Sequence, residues 1–192
     1  TQMLESMISN PTPTRAEVTD VSNAAYEEAD SLMLSGETSV GRYPERCVEA
    51  IVRIANRIER SGGLGYGQNV LLRDERQKVA RAAVTLADSL PHGVLVVLTR
   101  RGVLANHVAL LRPKTSGFYA FTPKPLVCRQ LSLTRGVTAF QISFAVSIEE
   151  TIVAVTESLK EKGLVRPGTP MVIVSDILSS HFAANSILLH HA

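Results

Sequence analysis

The sequence predicts an α/β protein built in two parts. Apolar runs of strand length alternate with stretches of helical period, in the order that gives helices packed on a sheet. A glycine-rich stretch, Ser61-Gly62-Gly63-Leu64-Gly65-Tyr66-Gly67-Gln68-Asn69, interrupts that alternation once and marks a linker. Beyond it three strand–helix units follow in a row, which implies a mostly parallel sheet.

The elements follow in order. Thr14 and Glu17 form a T-x-x-E capping box with Pro13 just outside it, so a helix is expected over 15–28. The short apolar run 31–34 suits a strand buried on both faces. Pro44 fits the first turn of the next helix, where its missing N–H costs nothing. Val48, Ile51, Val52, Ala55 and Ile58 share one face of that helix, and Arg53, Arg57 and Arg60 fall away from it. In the second part a helix over 73–90 carries Val79, Ala82, Ala83 and Leu86 as its apolar face and stops at Pro91-His92-Gly93. Strand 94–98, helix 103–111, strand 118–121, helix 125–133 and strand 137–140 come next. Ser147 and Glu150 open a helix with Ile148, Ile152, Val155 and Leu159 on one face, and Gly163 stops it. Strands 170–174 and 187–190 close the chain. No helical period connects them, so the last pair is expected to be antiparallel and at a sheet edge.

Composition excludes several classes. Of 192 residues, 45% are hydrophobic and 20% charged, which is ordinary for a globular protein. A net charge of +2 offers no strong field to nucleic acid or an anionic membrane. Cys47 and Cys128 fit no metal or redox spacing and read as reduced thiols of a cytoplasmic protein. No signal peptide is recognisable, and the apolar run 93–98 is too short to span a bilayer. A start at Thr1 without Met is expected of an engineered start, a proteolytic fragment or renumbering. His190 and His191, adjacent on a strand, point to opposite faces and cannot easily share one ion.

Residues 1–44 carry a specific pattern. It reads Thr1-Gln2-Met3-Leu4-Glu5-Ser6-Met7, Pro13-Thr14-Arg15-Ala16-Glu17, Asp20 to Ala24, Ala29-Asp30, Met33-Leu34-Ser35-Gly36-Glu37-Thr38 and Gly41 to Pro44. Alone, Ser-Gly-Glu-Thr after a strand reads as an ordinary turn into a helix. In this order and spacing the set resembles the pyruvate kinase family. The resemblance implies that residues 1–60 are the terminal strands and helices of a (β/α)8 catalytic barrel. Residues 61–72 would be a linker, and residues 73–192 a three-layer C-terminal α/β domain with a mixed, mostly parallel five-stranded sheet.

The resemblance also implies a reaction: phosphoryl transfer from phosphoenolpyruvate to ADP, giving pyruvate and ATP in glycolysis. Such transfer rests on positioning and electrostatics. Thr1 matches a threonine at the edge of the substrate site that helps hold the water implicated in protonating enolpyruvate. Ser35 matches a serine near the substrate end of the last barrel strand. Glu37 is expected to anchor its loop rather than act as an acid or base. Arg15 matches an arginine at a tetramer interface. The family's magnesium, potassium and most nucleotide contacts lie upstream of this chain, so the piece alone is expected to be inactive and to carry no metal site.

The second part resembles the family's C-terminal domain in element order. Many members bind a phosphorylated effector after its first strand, where this chain reads Thr99-Arg100-Arg101-Gly102-Val103-Leu104. A glycine turn at a helix N-terminus and two arginines suit an anion. Two hydroxyl positions of the family pattern are lost, to Arg101 and Leu104. The facing segment 175–183 has no glycine and brings Asp176. These departures argue against a fructose 1,6-bisphosphate site. They leave Thr99, Arg100, Arg101 and Gly102 as candidates for a different anion, against the plainer reading of a turn with solvated arginines. The competing function is a standalone, non-catalytic module that binds a small anion or a partner. An isolated barrel piece cannot close a barrel, so residues 1–60 are expected to be poorly ordered, repacked or shared with another chain. Leu4, Met7, Val21, Leu32 and Leu34 are expected to expose apolar surface.

Overall fold

The computed structural model describes residues 2–175 and 186–192. Two compact units make up the chain, Thr1–Tyr66 and Gly67–Ala192.

The first unit holds a 3-10 turn at Glu5–Ile8, helix α1 (Arg15–Tyr26), the single-turn α2 (Gly36–Ser39) and α3 (Pro44–Glu59). The Thr14–Glu17 box forms in full: Thr14 Oγ1 accepts from Glu17 N, and the Glu17 carboxylate accepts from Thr14 N. α1 ends two residues short of the expected Glu28, which takes a left-handed φ of 61°. Pro44 occupies the first turn of α3 as expected.

Three expectations fail in this unit. Residues 31–34 form no strand, because no strand among the described residues lies beside them to complete a ladder; Met33 is exposed, and Leu32 and Leu34 are half-buried. The buried stripe of α3 is Cys47, Ala50 and Ile51, flanked by Ile54, whereas Val48 and Val52 are half-exposed. The expected face was thus rotated: Cys47 and Ala50, both small, fit against α1 where the larger valines do not. Leu4, Met7 and Val21 are not exposed but fully buried, in one cluster with Cys47, Ala50 and Ile51. Helix α1, helix α3 and the 3-10 turn give this unit a small core of its own.

In the second unit, α4 (Glu75–Ser89) is capped by Asp74, whose Oδ1 accepts from Gln77 N. Its buried face is Ala80, Ala83, Val84 and Ala87, with Val79 and Leu86 half-buried and Ala82 exposed, a shift of about one position from the expected face. Strands β1 (Val94–Leu98), β2 (Gly117–Thr122), β3 (Thr138–Gln141), β4 (Pro170–Ser175) and β5 (Ser186–His191) form one sheet in the order β3-β2-β1-β4-β5. All neighbours are parallel except β4 and β5, the expected antiparallel edge pair. Helices α5 (Val103–Leu110), α6 (Pro125–Leu131) and α7 (Ile148–Glu161) connect the parallel strands.

Alternation along the strands builds the two apolar layers. Leu95, Val97, Ala120, Val172 and Val174 pack with Ala83 of α4, Leu104 and Val108 of α5, and Leu131 of α6. Val94, Val96, Leu98, Phe121, Met171 and Ile173 face the other way, onto Ile152, Val155 and Leu159 of α7. The result is the three-layer α/β arrangement with a mixed five-stranded sheet. α7 starts with Ser147 Oγ accepting from Glu150 N and ends in a Schellman motif at Gly163. There Gly163 N donates to Lys160 O and Leu164 N to Leu159 O, with Gly163 at φ 67°. Among the described residues no helix is long and apolar enough to cross a membrane.

Candidate functional site

The Ser35–Thr38 motif is a rigid turn built around a buried carboxylate. Glu37 is only 1% exposed. Its Oε1 accepts from Leu4 N at 3.1 Å and its Oε2 from Ser35 N at 2.9 Å. One side chain therefore ties the segment after Thr1-Gln2-Met3 to the Ser35 turn, 33 positions away. Burial pushes the Glu37 carboxyl up, but hydrogen bonds from backbone N–H groups outweigh it and hold the group below its ordinary range. An acid held ionised and spent on two backbone donors anchors its loop and is not poised to exchange protons.

Ser35 caps α2 with its carbonyl, which accepts from Thr38 N at 3.1 Å and Ser39 N at 2.9 Å. Its hydroxyl makes no capping bond. Two glycines allow the turn to be this tight. A Cβ on Gly36 would lie 3.1 Å from Ile8 Cδ1, and one on Gly41 would lie 2.3 Å from Glu37 O. Thr1 and residues 176–185 lie outside the described residues, so the expected roles of Thr1 and Asp176 are not placed.

A second buried acid braces the same segment from the other side. The Glu17 carboxylate accepts from Ser6 N, Ser6 Oγ, Thr14 N and Thr14 Oγ1 at 2.6–2.9 Å. Burial raises this acid, and the four hydrogen bonds more than reverse the effect, leaving it below the ordinary carboxylate range. The capping box signalled Glu17 in the sequence, but its link to Ser6 is long-range and left no local trace. Arg15 is exposed in the first turn of α1, and its carbonyl accepts from Thr19 Oγ1.

In the second unit, the Thr99–Gly102 loop leaves the C-terminal end of β1. β1 lies between β2 and β4, where the strand order changes direction, the usual place for a ligand crevice in such sheets. Thr99 is fully buried; its N donates to Phe121 O and its Oγ1 accepts from Gly102 N at 3.1 Å. The Gly102 amide, a natural anion donor at the start of α5, is therefore already bonded. Gly102 stands at φ 80°, a conformation that suits glycine. Arg100 lies 5.6 Å over the Phe144 ring, and Arg101 is exposed. Leu104 points into the core, which accounts for an apolar residue there. Among the described residues, no group of three or more His, Cys, Asp or Glu side chains could hold a metal ion.

Together these features define a two-unit α/β protein. Its first unit presents a Ser-Gly-Glu-Thr turn locked to a second loop, and its second unit is a three-layer domain with a basic turn at the sheet's switch point. Comparison with known proteins supplies the family. The pattern described as "Pyruvate kinase, barrel domain" matches residues 1–48, and "Pyruvate kinase, alpha/beta domain" matches residues 77–190. The chain belongs to the pyruvate kinase family and corresponds to the end of its catalytic barrel plus its C-terminal α/β domain. It is 35% identical to "Pyruvate kinase isozyme A, chloroplastic" of Ricinus communis, over 93% of this chain and 32% of the relative. It is 36% identical to "Pyruvate kinase 2" of Synechocystis, over 93% of this chain and 30% of the relative. With a pyruvate kinase of Mycobacterium intracellulare the identity is 38%, over 91% of this chain and 37% of the relative. A crystal structure of a pyruvate kinase from Cryptosporidium parvum superposes with a TM-score of 0.86 at 30% identity, over all of this chain and 39% of that one. The chain thus spans about a third of the length of these relatives.

Proposed function

We propose that this chain is the C-terminal portion of an enzyme that transfers phosphate from phosphoenolpyruvate to ADP, forming pyruvate and ATP. The observation that carries the reading is the Glu37 bridge. It ties Leu4, just after the Thr1-Gln2-Met3 stretch matched to the substrate site, to the Ser35 turn matched to the same site. In this reading Thr1 touches the substrate and helps hold the water that protonates enolpyruvate, and the free Ser35 hydroxyl faces the substrate end of the barrel. Glu37 and Glu17 position these loops and take no part in proton transfer. Arg15, exposed on α1, meets another subunit of a homotetramer. Residues 61–72 act as the linker between the parts. Magnesium and potassium would supply charge neutralisation at the transferring phosphoryl group. In this reading the ligands of both ions lie upstream of this chain, as the family resemblance implies. The location is cytoplasmic, with a plastid the alternative suggested by the chloroplastic names among the relatives.

The 192-residue chain alone is inactive in this reading. A coupled turnover assay with phosphoenolpyruvate, ADP, magnesium and potassium tests it: the chain gives background rates, and turnover by the chain alone overturns the proposal. In the complete enzyme Ser35→Ala lowers kcat/KM for phosphoenolpyruvate by about tenfold or more, as expected for a group that positions substrate. An unchanged value removes Ser35 from the site.

A second reading, binding of a small anion by a non-catalytic module, is favoured by one observation, the two arginines of the switch-point loop. Calorimetric titration with sugar phosphates and nucleotides, repeated with Arg100→Ala and Arg101→Ala, decides it. Binding lost in both variants supports the loop. Binding that survives both excludes it.

A further inference from the structure

Helix α3 carries a line of cations along its outer face. At about 100° and 1.5 Å per residue, Arg46, Arg53, Arg57 and the C-cap Arg60 fall within an arc of about 60° over about 21 Å of helix. All four are exposed, and among the described residues none is paired with a carboxylate. The nearest acid round the helix is Glu49, just beside the arc, so the positive charge is only partly offset. At the start of the helix the line meets a pocket of about 220 Å³ lined by Arg42, Tyr43, Pro44, Glu45 and Arg46. There the Arg46 guanidinium lies 5.8 Å from the centre of the half-buried Tyr43 ring. At the far end Arg57 Nη1 donates to Ser61 Oγ at 2.6 Å, which holds that guanidinium in place.

A row of guanidiniums running up to an aromatic ring suits a single nucleic-acid strand. The cations follow the phosphates, and the ring with its stacked guanidinium gives a base a flat partner. A bilayer fits less well. Its headgroups form a plane, whereas these charges form one line, and the half-exposed Val48 and Val52 lie more than a quarter-turn away from them. An acidic helix also fits less well, because no exposed apolar seam runs beside the arginines to pack it. Duplex DNA keeps its base faces stacked inside, while RNA ordinarily offers unpaired bases in loops and ends.

We propose that the outer face of α3 binds single-stranded RNA. Arg53, Arg57 and Arg60 pair with its phosphates, and the Tyr43–Arg46 pair stacks a base. About 21 Å accommodates about six stacked nucleotides at 3.4 Å each, a site size typical of single-strand binders. The whole-chain charge of +2 supplies little long-range pull, so binding is local to this face. It therefore depends on salt in proportion to the few phosphates engaged.

Fluorescence anisotropy of a labelled oligouridylate of about twelve nucleotides, titrated with the 192-residue chain over a range of salt, tests this. The parent is expected to bind saturably, with a salt slope of about −2 for three phosphate contacts. The triple variant Arg53→Gln, Arg57→Gln, Arg60→Gln weakens binding about tenfold or more and flattens the slope. The matching Arg→Lys triple keeps the charge and the slope, which separates lost contacts from lost folding. A control triple on the second unit, Arg73→Gln, Arg129→Gln, Arg166→Gln, removes the same charge from exposed positions and changes affinity less than twofold. Tyr43→Leu weakens binding several-fold and leaves the slope unchanged, as loss of stacking requires. Absence of saturable binding by the parent overturns the proposal. So does equal weakening by the control triple, which would mean unspecific charge attraction, or tighter binding to duplex DNA of the same length. Binding to phosphatidylserine vesicles that displaces the RNA and is lost in the α3 triple assigns the face to a membrane and likewise overturns it. An unchanged affinity in Tyr43→Leu overturns the stacking part.

Discussion

Replacing Glu37 with alanine removes two hydrogen bonds to an ionised acceptor and leaves their donors behind. Leu4 is fully buried, so its N–H has no water to turn to, and an unsatisfied buried donor costs about 1–3 kcal/mol. The Ser35 N–H is partly buried and recovers some hydration, so its loss is about 1 kcal/mol. With the space left by the side chain, Glu37→Ala is expected to destabilise the first unit by about 3 kcal/mol. Glu37→Gln keeps one carbonyl acceptor but turns an amide N–H toward the other donor, and loses about half as much. The assay is the exchange-derived stability of the Cys47 and Ile51 amides, core positions of α3 that report on this unit alone. Because the Glu37 carboxyl is held below its ordinary value, the unfolded chain takes up its proton first as pH falls. The Glu37 contribution is therefore complete above the ordinary carboxylate range and fades as pH drops through the lower, folded value. Glu37→Gln flattens that acid dependence, leaving the share due to Glu17. A cost below about 1 kcal/mol for Glu37→Ala, or an acid profile unchanged by Glu37→Gln, would refute the claim that this carboxylate locks the two loops together.

Thr14→Ala removes the hydroxyl half of the capping box and a second donor to Glu17, while the backbone N–H of position 14 still reaches the Glu17 carboxylate; a loss of about 1–2 kcal/mol from the first unit is expected, read by the same exchange measurement. Phe121→Ala empties a fully buried position in the second unit's sheet and lowers its stability by about 3–5 kcal/mol in urea unfolding. Gly102→Ala forces a left-handed φ on a residue whose Cβ would lie 3.2 Å from Val127 Cγ1, whereas Gly136→Ala, at φ 75° with open space around it, carries the backbone strain alone. The first is expected to cost about 2 kcal/mol and the second about 1 kcal/mol, compared by thermal unfolding. Burial, with the nearby Glu37 charge, pushes the Cys47 thiol up, so a thiol reagent should label half-buried Cys128 promptly and Cys47 only at the rate at which the first unit opens.

The α/β alternation of the second part, the five strands, the antiparallel edge pair and the helix stop at Gly163 were legible because each depends on neighbours within a few positions. The Thr14 cap and Pro44 start were legible for the same reason. The Thr1–Pro44 pattern carried the family on its own. Faces of helices were less legible. In α3 and α4 the apolar arc is wide enough to allow more than one orientation, and small residues at the contact, Cys47, Ala50, Ala80 and Ala83, decided which side packs. The run 31–34 has the composition of a strand, but a strand also needs a partner for its backbone, and none lies beside it.

By itself the sequence determined the order of elements, the caps and the family, since these follow from local propensity and from residue pattern. Only the tertiary structure decided what the buried acids do. Glu17, Glu28 and Glu37 look alike in the chain, and each is defined by a backbone N–H between 11 and 37 positions away: Ser6, Gly65 and Leu4. An ionised carboxylate is kept out of water only where such donors converge, and their convergence is a property of the folded chain.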